Sequence, residues 1–161
     1  MAADYFLKID GIPGEALDAK HKGEIELMAW SWGETQSGSA SSGTGGGTGK
    51  VNMQDFSFTM PINKASPHLF INCANGTHIK TAELTCRKAG GNAQVEYLKI
   101  LFTGVLISSF QTGGSGGDSL PIESITFNFA TIKYTYVPQK ADGSADTKIE
   151  FAYDLKQSKK V

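Results

Sequence analysis

Ala29-Trp30-Ser31-Trp32-Gly33 runs into a stretch of glycine, serine and threonine, and the chain returns through Gly49-Lys50-Val51-Asn52-Met53-Gln54-Asp55-Phe56. Trp30 and Trp32, two residues apart, share one face of an extended chain and leave Ser31 on the other. Residues 37–49 offer almost nothing that builds a core, yet apolar alternation resumes directly beyond them. The pattern predicts a long Gly/Ser-rich excursion held by rigid strands at both ends. Such segments commonly carry contacts to another molecule.

Strand-like alternation extends outward in both directions. Tyr5, Leu7 and Ile9 alternate with Phe6 and Lys8 as far as Asp10-Gly11, and residues 18–22 are polar and loop-like. Ile25 and Leu27 alternate with Glu24 and Glu26, after which the apolar phase moves to Met28, Trp30 and Trp32. A phase change inside one strand predicts a β-bulge or burial on both faces. Val51 and Met53 share one face, then Phe56, Phe58 and Met60 take the other. Residues 66–76 form the one good helix, with Ser66 as N-cap, Pro67 at its first turn and Gly76 in the left-handed position after its end.

Residues 79–88 read as a strand with Ala82, Leu84 and Cys86 on one face, followed by the turn Gly90-Gly91-Asn92. In the long run 94–110, Leu98, Ile100, Phe102 and Leu106 line one side, and Val95, Tyr97, Leu101, Val105 and Ile107 the other. Residues 121–137 behave alike, with Ile125, Phe127 and Phe129 followed by Ile132, Tyr134 and Tyr136. The last strand sets Ile149, Phe151, Tyr153 and Leu155 opposite Lys148, Glu150 and Asp154. The fold class is therefore mostly β, antiparallel, with one short α-helix. A strand apolar on both faces needs cover on both. Two arrangements supply it: a subunit interface that closes into a ring, or a bulged sandwich whose second sheet covers the first.

The 161 residues are expected to form one domain, 1–161. Fifteen Lys and Arg against sixteen Asp and Glu leave a net charge of −1 and no basic face for nucleic acid. The lysines at 156, 159 and 160 read as a solvated end. No window approaches the ~20 apolar residues of a membrane span, so membrane insertion is not expected. The first residues lack a basic and apolar leader, which reads as cytoplasmic. Export would then need a route that ignores signal peptides. Cys73 and Cys86 match no metal spacing and read as buried, unpaired thiols.

Motifs of chemistry fail on context. Gly113-Gly114-Ser115-Gly116-Gly117 has the letters of a nucleophile elbow, but strands stand on both sides and five flexible residues cannot hold a strained Ser115. Residues 44–51 graze a phosphate loop, with Thr44 where its first glycine belongs and Val51 where its hydroxyl belongs. His21, His68 and His78 lack ligand spacing. Glu24 and Glu26 share a strand face without an acid or nucleophile to work with. No catalytic, cofactor or metal site is expected.

One ordered set of words remains. Besides 29–33 and 49–56, it comprises Asn63-Lys64-Ala65-Ser66-Pro67, Arg87-Lys88-Ala89-Gly90-Gly91, Val105-Leu106-Ile107-Ser108-Ser109-Phe110, Thr112-Gly113-Gly114-Ser115-Gly116-Gly117, Phe127-Asn128-Phe129-Ala130 and Pro138-Gln139-Lys140-Ala141-Asp142-Gly143. Taken together, and nearly from end to end, the chain resembles the haemolysin-coregulated protein (Hcp) family, the tube subunit of bacterial type VI secretion. The resemblance implies a two-sheet antiparallel β-barrel with a helix at its side, similar to phage tail-tube proteins. It implies homo-hexameric rings that stack inside a sheath, meet spike and baseplate components, carry small effector proteins in the lumen, and leave the cell without a signal peptide. On this chain it makes the 37–49 loop the candidate ring-stacking contact, through Ser39, Ser42, Thr44, Gly46 and Thr48. Ser31 becomes the candidate lumen contact for effectors. The chain ends soon after its last strand, so a fused effector domain is not expected. The alternatives are a monomeric ligand-binding β-barrel and a small serine hydrolase using Ser115.

Overall fold

A computed structural model of the chain describes residues 3–38, 49–90 and 93–161. The elements in chain order are β1 (Asp4–Ile9), β2 (Ile25–Glu26), β3 (Ala29–Ser31), β4 (Glu34–Gln36), β5 (Val51–Met53), β6 (Phe56–Pro61), α1 (Ser66–Asn75), β7 (His78–Gly90), β8 (Ala93–Gly113), β9 (Ile122–Asn128), β10 (Thr131–Tyr136), β11 (Ile149–Asp154) and β12 (Lys159–Lys160). Every pairing is antiparallel.

The 21-residue β8 is the spine. One edge pairs with β7, from Gly90 opposite Ala93 to His78 opposite Leu106. The other edge changes partner part-way. It pairs with β10 over Leu98–Thr103, then with β9 over Leu106–Gly113. The sheet forks there, into β12-β11-β10-β8-β7-β1-β2 and an arm of β9, β6 and β3. The ladder is thus one branched sheet rather than a closed two-sheet barrel, with β4–β5 as a separate ribbon. The two free edges meet on a single segment. Leu27 N–H donates to Tyr5 O at 2.9 Å, and the next residue, Met28, donates to Thr59 O at 2.9 Å. This crossing between arms is the phase change read at Met28; Ile25 and Leu27 are buried before it and Trp30 packs on the core after it.

A second phase change corrects the reading of β8 as apolar on both faces. Leu98, Ile100 and Phe102 are buried, and after Gly104 the core set is Val105 and Ile107. Gly104 has φ +63°, and a Cβ there would stand 2.8 Å from the Cβ of Ala130. The strand therefore turns its inner face over at one glycine. Leu101 and Leu106 are only half-buried. The interior is filled by aromatic rings: Phe56 lies 5.0 Å from Phe127 and 5.1 Å from Phe102, centroid to centroid. Side chains, not solvent, occupy the interior between these rings.

Helix α1 opens differently from the sequence reading. Ala65, not Ser66, is the N-cap, and no side chain caps it. Ser66 is buried and its hydroxyl is otherwise engaged, accepting from Asn63 N–H at 3.1 Å and donating to the buried Glu123. Pro67 in the first turn and Gly76, with φ 65°, stand as the sequence implied. Among the described residues no helix is long and apolar enough to cross a membrane.

Gly104→Ala is expected to lower stability by about 1–3 kcal/mol, because it meets both the left-handed φ and Ala130. Gly113→Ala, whose Cβ would meet nothing within 4 Å, is expected to be near neutral. Thermal denaturation of the two variants side by side checks this; equal melting temperatures would refute it.

Candidate functional site

The described surface carries two contrasting sheet faces. The first is apolar and bare. Tyr134 pairs with Ile100 on one side and Phe151 on the other, and Tyr136 with Leu98 and Ile149. Directly opposed residues point to the same side of an antiparallel sheet. That side is core at β8, where Ile100 is 0 % exposed, yet Phe151, two strands out, is 61 % exposed. Tyr134, Tyr136 and Ile149 are exposed likewise. The β10–β11 wing thus extends the core face past what the core covers. Between this wing and the β4–β5 ribbon runs an open groove of about 690 Å³, lined by Trp32, Val51, Met53, Ile132, Tyr134 and Phe151 among others. Covering ~200 Å² of such surface would contribute about 5 kcal/mol before the entropy cost of association.

The second face lies on the other arm and is made of small polar groups. Register aligns Ser31, Ser57, Thr126 and Ser109 in one row across β3, β6, β9 and β8, and Ala29, Thr59, Ser124 and Gln111 in the next. The Thr126 hydroxyl meets those of Ser109 at 2.6 Å and Ser108 at 2.7 Å, and Ser108 donates to Asp55 at 2.5 Å. Ser31 is exposed at the end of its row, while Trp30 on the opposite side stacks 6.0 Å from Phe56. A depression of about 160 Å³ lies beside Ser31 and Ser57. Ser39, Ser42, Thr44, Gly46 and Thr48 lie outside the described residues. The ribbon that leads to them pairs Glu34 with Met53 and Gln36 with Val51.

Sequence reasoning missed a buried charged cluster beneath residues 14–24. Arg87 is nearly fully buried and grips Asp18 with both terminal nitrogens, at 2.9 and 2.6 Å, and Asp4 at 3.1 Å. Its guanidinium also lies 4.9 Å from the Phe6 ring centre. The Arg87 hydrogen bonds, with the Lys20 N–H, hold the Asp18 carboxyl well below the usual carboxylate range, and Asp18 in turn raises Arg87. His21 stacks on Phe6 at 4.5 Å. The consecutive apolar residues Tyr5, Phe6 and Leu7 were the available signal, since a strand apolar on both faces needs a cover on its outer face; Phe6 and Leu7 are both buried. Glu24 is bonded to His21 and lies outside any strand, so it does not pair with the exposed Glu26.

Among the described residues no catalytic group gathers at the glycine-flanked Ser115. Ser115 is exposed in a turn, where its carbonyl accepts Asp118 N–H and its hydroxyl Gly117 N–H. Among the described residues no histidine or carboxylate side chain bonds to it, and no group of three His, Cys, Asp or Glu could hold a metal. Cys73 and Cys86 are free thiols; Cys73 is half-buried, and burial pushes buried Cys86 up to about 12.

Residues 6–136 match the family described as type VI secretion system effector, Hcp. The chain is 50% identical to protein hcp1 of Pseudomonas aeruginosa over 159 residues, 98% of each chain. Its fold superposes on a type six secretion system protein with a TM-score of 0.92 at 34% identity, covering 99% of this chain and 100% of that one. It superposes on Hcp1 of Salmonella typhimurium with a TM-score of 0.80 at 36% identity, over the whole of both chains.

The Arg87 cluster predicts an acid limb. Because the folded Asp18 carboxyl is held low, its stabilisation is complete above about pH 5 and declines as pH falls below the ordinary carboxylate value near 4. Asp18→Asn is expected to flatten the fall in melting temperature below that point, and a parallel fall in both proteins would refute it.

Proposed function

Because the chain belongs to the Hcp family of type VI secretion proteins, we propose that it is the secreted tube subunit of that system, assembling as hexameric rings that stack and carry small effectors in the lumen. It is a structural component and not an enzyme. The observation that carries the reading is the β10–β11 wing, whose bare apolar side is continuous with the core face at Ile100. A surface built like a core interior is the kind that a permanent partner covers, and a heterologous contact between identical chains closes into a ring when its rotation allows. In this reading the wing and its groove form the seam between subunits. The hydroxyl rows from Ser31 to Ser109 line the lumen, where small uncharged side chains leave room and offer hydrogen bonds of either sense. The β4–β5 ribbon carries the 37–49 loop to the neighbouring ring. Spike, sheath and baseplate components meet the stacked rings.

Light scattering at low micromolar concentration is expected to give the mass of six chains. Phe151→Lys is expected to give single chains with an unchanged circular dichroism spectrum, because the residue is exposed in the isolated subunit. A wild-type protein that stays monomeric on concentration would refute the ring. Ser31→Trp is expected to keep the ring mass while reducing co-purified small polypeptide about tenfold, equivalent to ~1.4 kcal/mol of contact free energy. Undiminished cargo would remove Ser31 from the lumen contact.

A further inference from the structure

Segment 14–24 is held to itself by backbone bonds, Gly14 N–H to Gly23 O at 2.8 Å and Gly23 N–H to Ala16 O at 2.9 Å. Its side-chain anchors to the rest of the molecule are Asp18, which Arg87 holds from β7, His21, and Glu15, which accepts Lys64 N–H at 3.1 Å. The His21 ring is nearly buried between two carboxylates: Nδ1 lies 2.9 Å from Glu24 Oε2 on the same segment, and Nε2 lies 2.7 Å from Glu96 Oε1 on β8. A neutral imidazole carries one N–H and an imidazolium two. Two carboxylate oxygens within bonding distance of the two ring nitrogens are both satisfied only by the doubly protonated ring.

We propose that His21 is a proton-dependent staple, which in its protonated form fastens segment 14–24 to β8 and on losing its proton releases the Glu96 end. The charged groups around the ring decide which bond breaks. Glu96 also meets Lys99 Nζ at 3.3 Å, whereas Glu24 has no second ion pair among the described residues. Burial opposes the ionised Glu96, but the His21 and Lys99 contacts outweigh it and hold that carboxyl below its ordinary value. Arg87 is already committed to Asp18 and Asp4. When one ring proton leaves, a bare nitrogen would face a carboxylate in a site with little water. The single remaining N–H stays with Glu24, and Glu96 falls back on Lys99. Segment 14–24 then keeps Arg87–Asp18 and Glu15–Lys64 N–H as its side-chain anchors and loosens at the His21 end, over the Phe6 ring that it covers.

The test uses full-length protein in two measurements. Nitrogen-15 spectra of the His21 ring at about pH 6 are expected to show both nitrogens protonated. Amide exchange of residues 14–24, corrected for intrinsic rates, is expected to rise about tenfold between about pH 6 and pH 8.5, with β7 and β8 unchanged. Glu96→Gln supplies an amide N–H to a neutral ring, so it should keep the segment closed at the higher pH and abolish the pH dependence. A singly protonated ring at about pH 6 would overturn the staple. So would segment exchange that ignores pH, or a pH response that survives in Glu96→Gln.

Discussion

The change of partner along one edge of β8 governs the rest of the molecule. A strand has two hydrogen-bonding edges, and here β7 occupies one of them from residue 93 to residue 106. The other edge must serve β10 and β9 in succession, and the hand-over falls between Thr103 and Leu106. Ala130, in the turn between β9 and β10, fills the gap by donating to Thr103 O at 2.8 Å. Gly104 sits against it with positive φ, the one residue type that combines this backbone with so close an approach. Because the inner face inverts there, both arms can enclose the same aromatic core from Phe102 to Phe127.

The fork also gives the two arms different exteriors. On the β7–β8–β10–β11 arm the outer face is charged: Lys8 stands opposite Glu83, and Lys133 and Lys148 both reach Glu150 at 3.7 and 3.6 Å. These exposed pairs contribute little stability and keep that face solvated. On the β9–β6–β3 arm the outer face is hydroxylic. On the inner face of the sheet, exposed apolar side chains gather on the β10–β11 wing, which outreaches the core; Phe70 and Ile71 on α1 are exposed as well. The chain thus presents a charged face, a hydroxylic face and a bare apolar wing, three chemically distinct surfaces.

Much of this was legible in the sequence, and the failures share a physical origin. The strands, the single helix and the anchoring of Trp30 opposite Ser31 follow from period-two alternation and from Pro67 and Gly76. The reading of β8 as two-faced failed because alternation reports a phase and not where the phase resets; Gly104 looks like any other strand glycine until its neighbour Ala130 is known. Ser66 looked like a cap because its spacing to Pro67 is right, yet Glu123, 57 residues away, claims its hydroxyl. The Arg87 and His21 clusters were illegible for the same reason, as Asp18 and Glu96 reach them across 69 and 75 residues. The exposed wing was partly legible. Tyr134, Tyr136, Ile149 and Phe151 were read as apolar faces, but only register shows that they continue a core face that no described residue covers.

That continuity separates the demands on fold and assembly. Phe56, Phe102 and Phe127 are fully buried in the core, whereas the exposed Phe151 is not committed to it. The hydroxyl rows carry the opposite freedom. Ser31, Ser57 and Thr126 bury little apolar area, so replacing them removes little of the roughly 25 cal/mol per Å² on which the fold rests. A surface whose residues contribute so little to folding can vary without cost to the fold. In the proposed ring the wing lacks that freedom, because each of its residues must match another copy of the same chain.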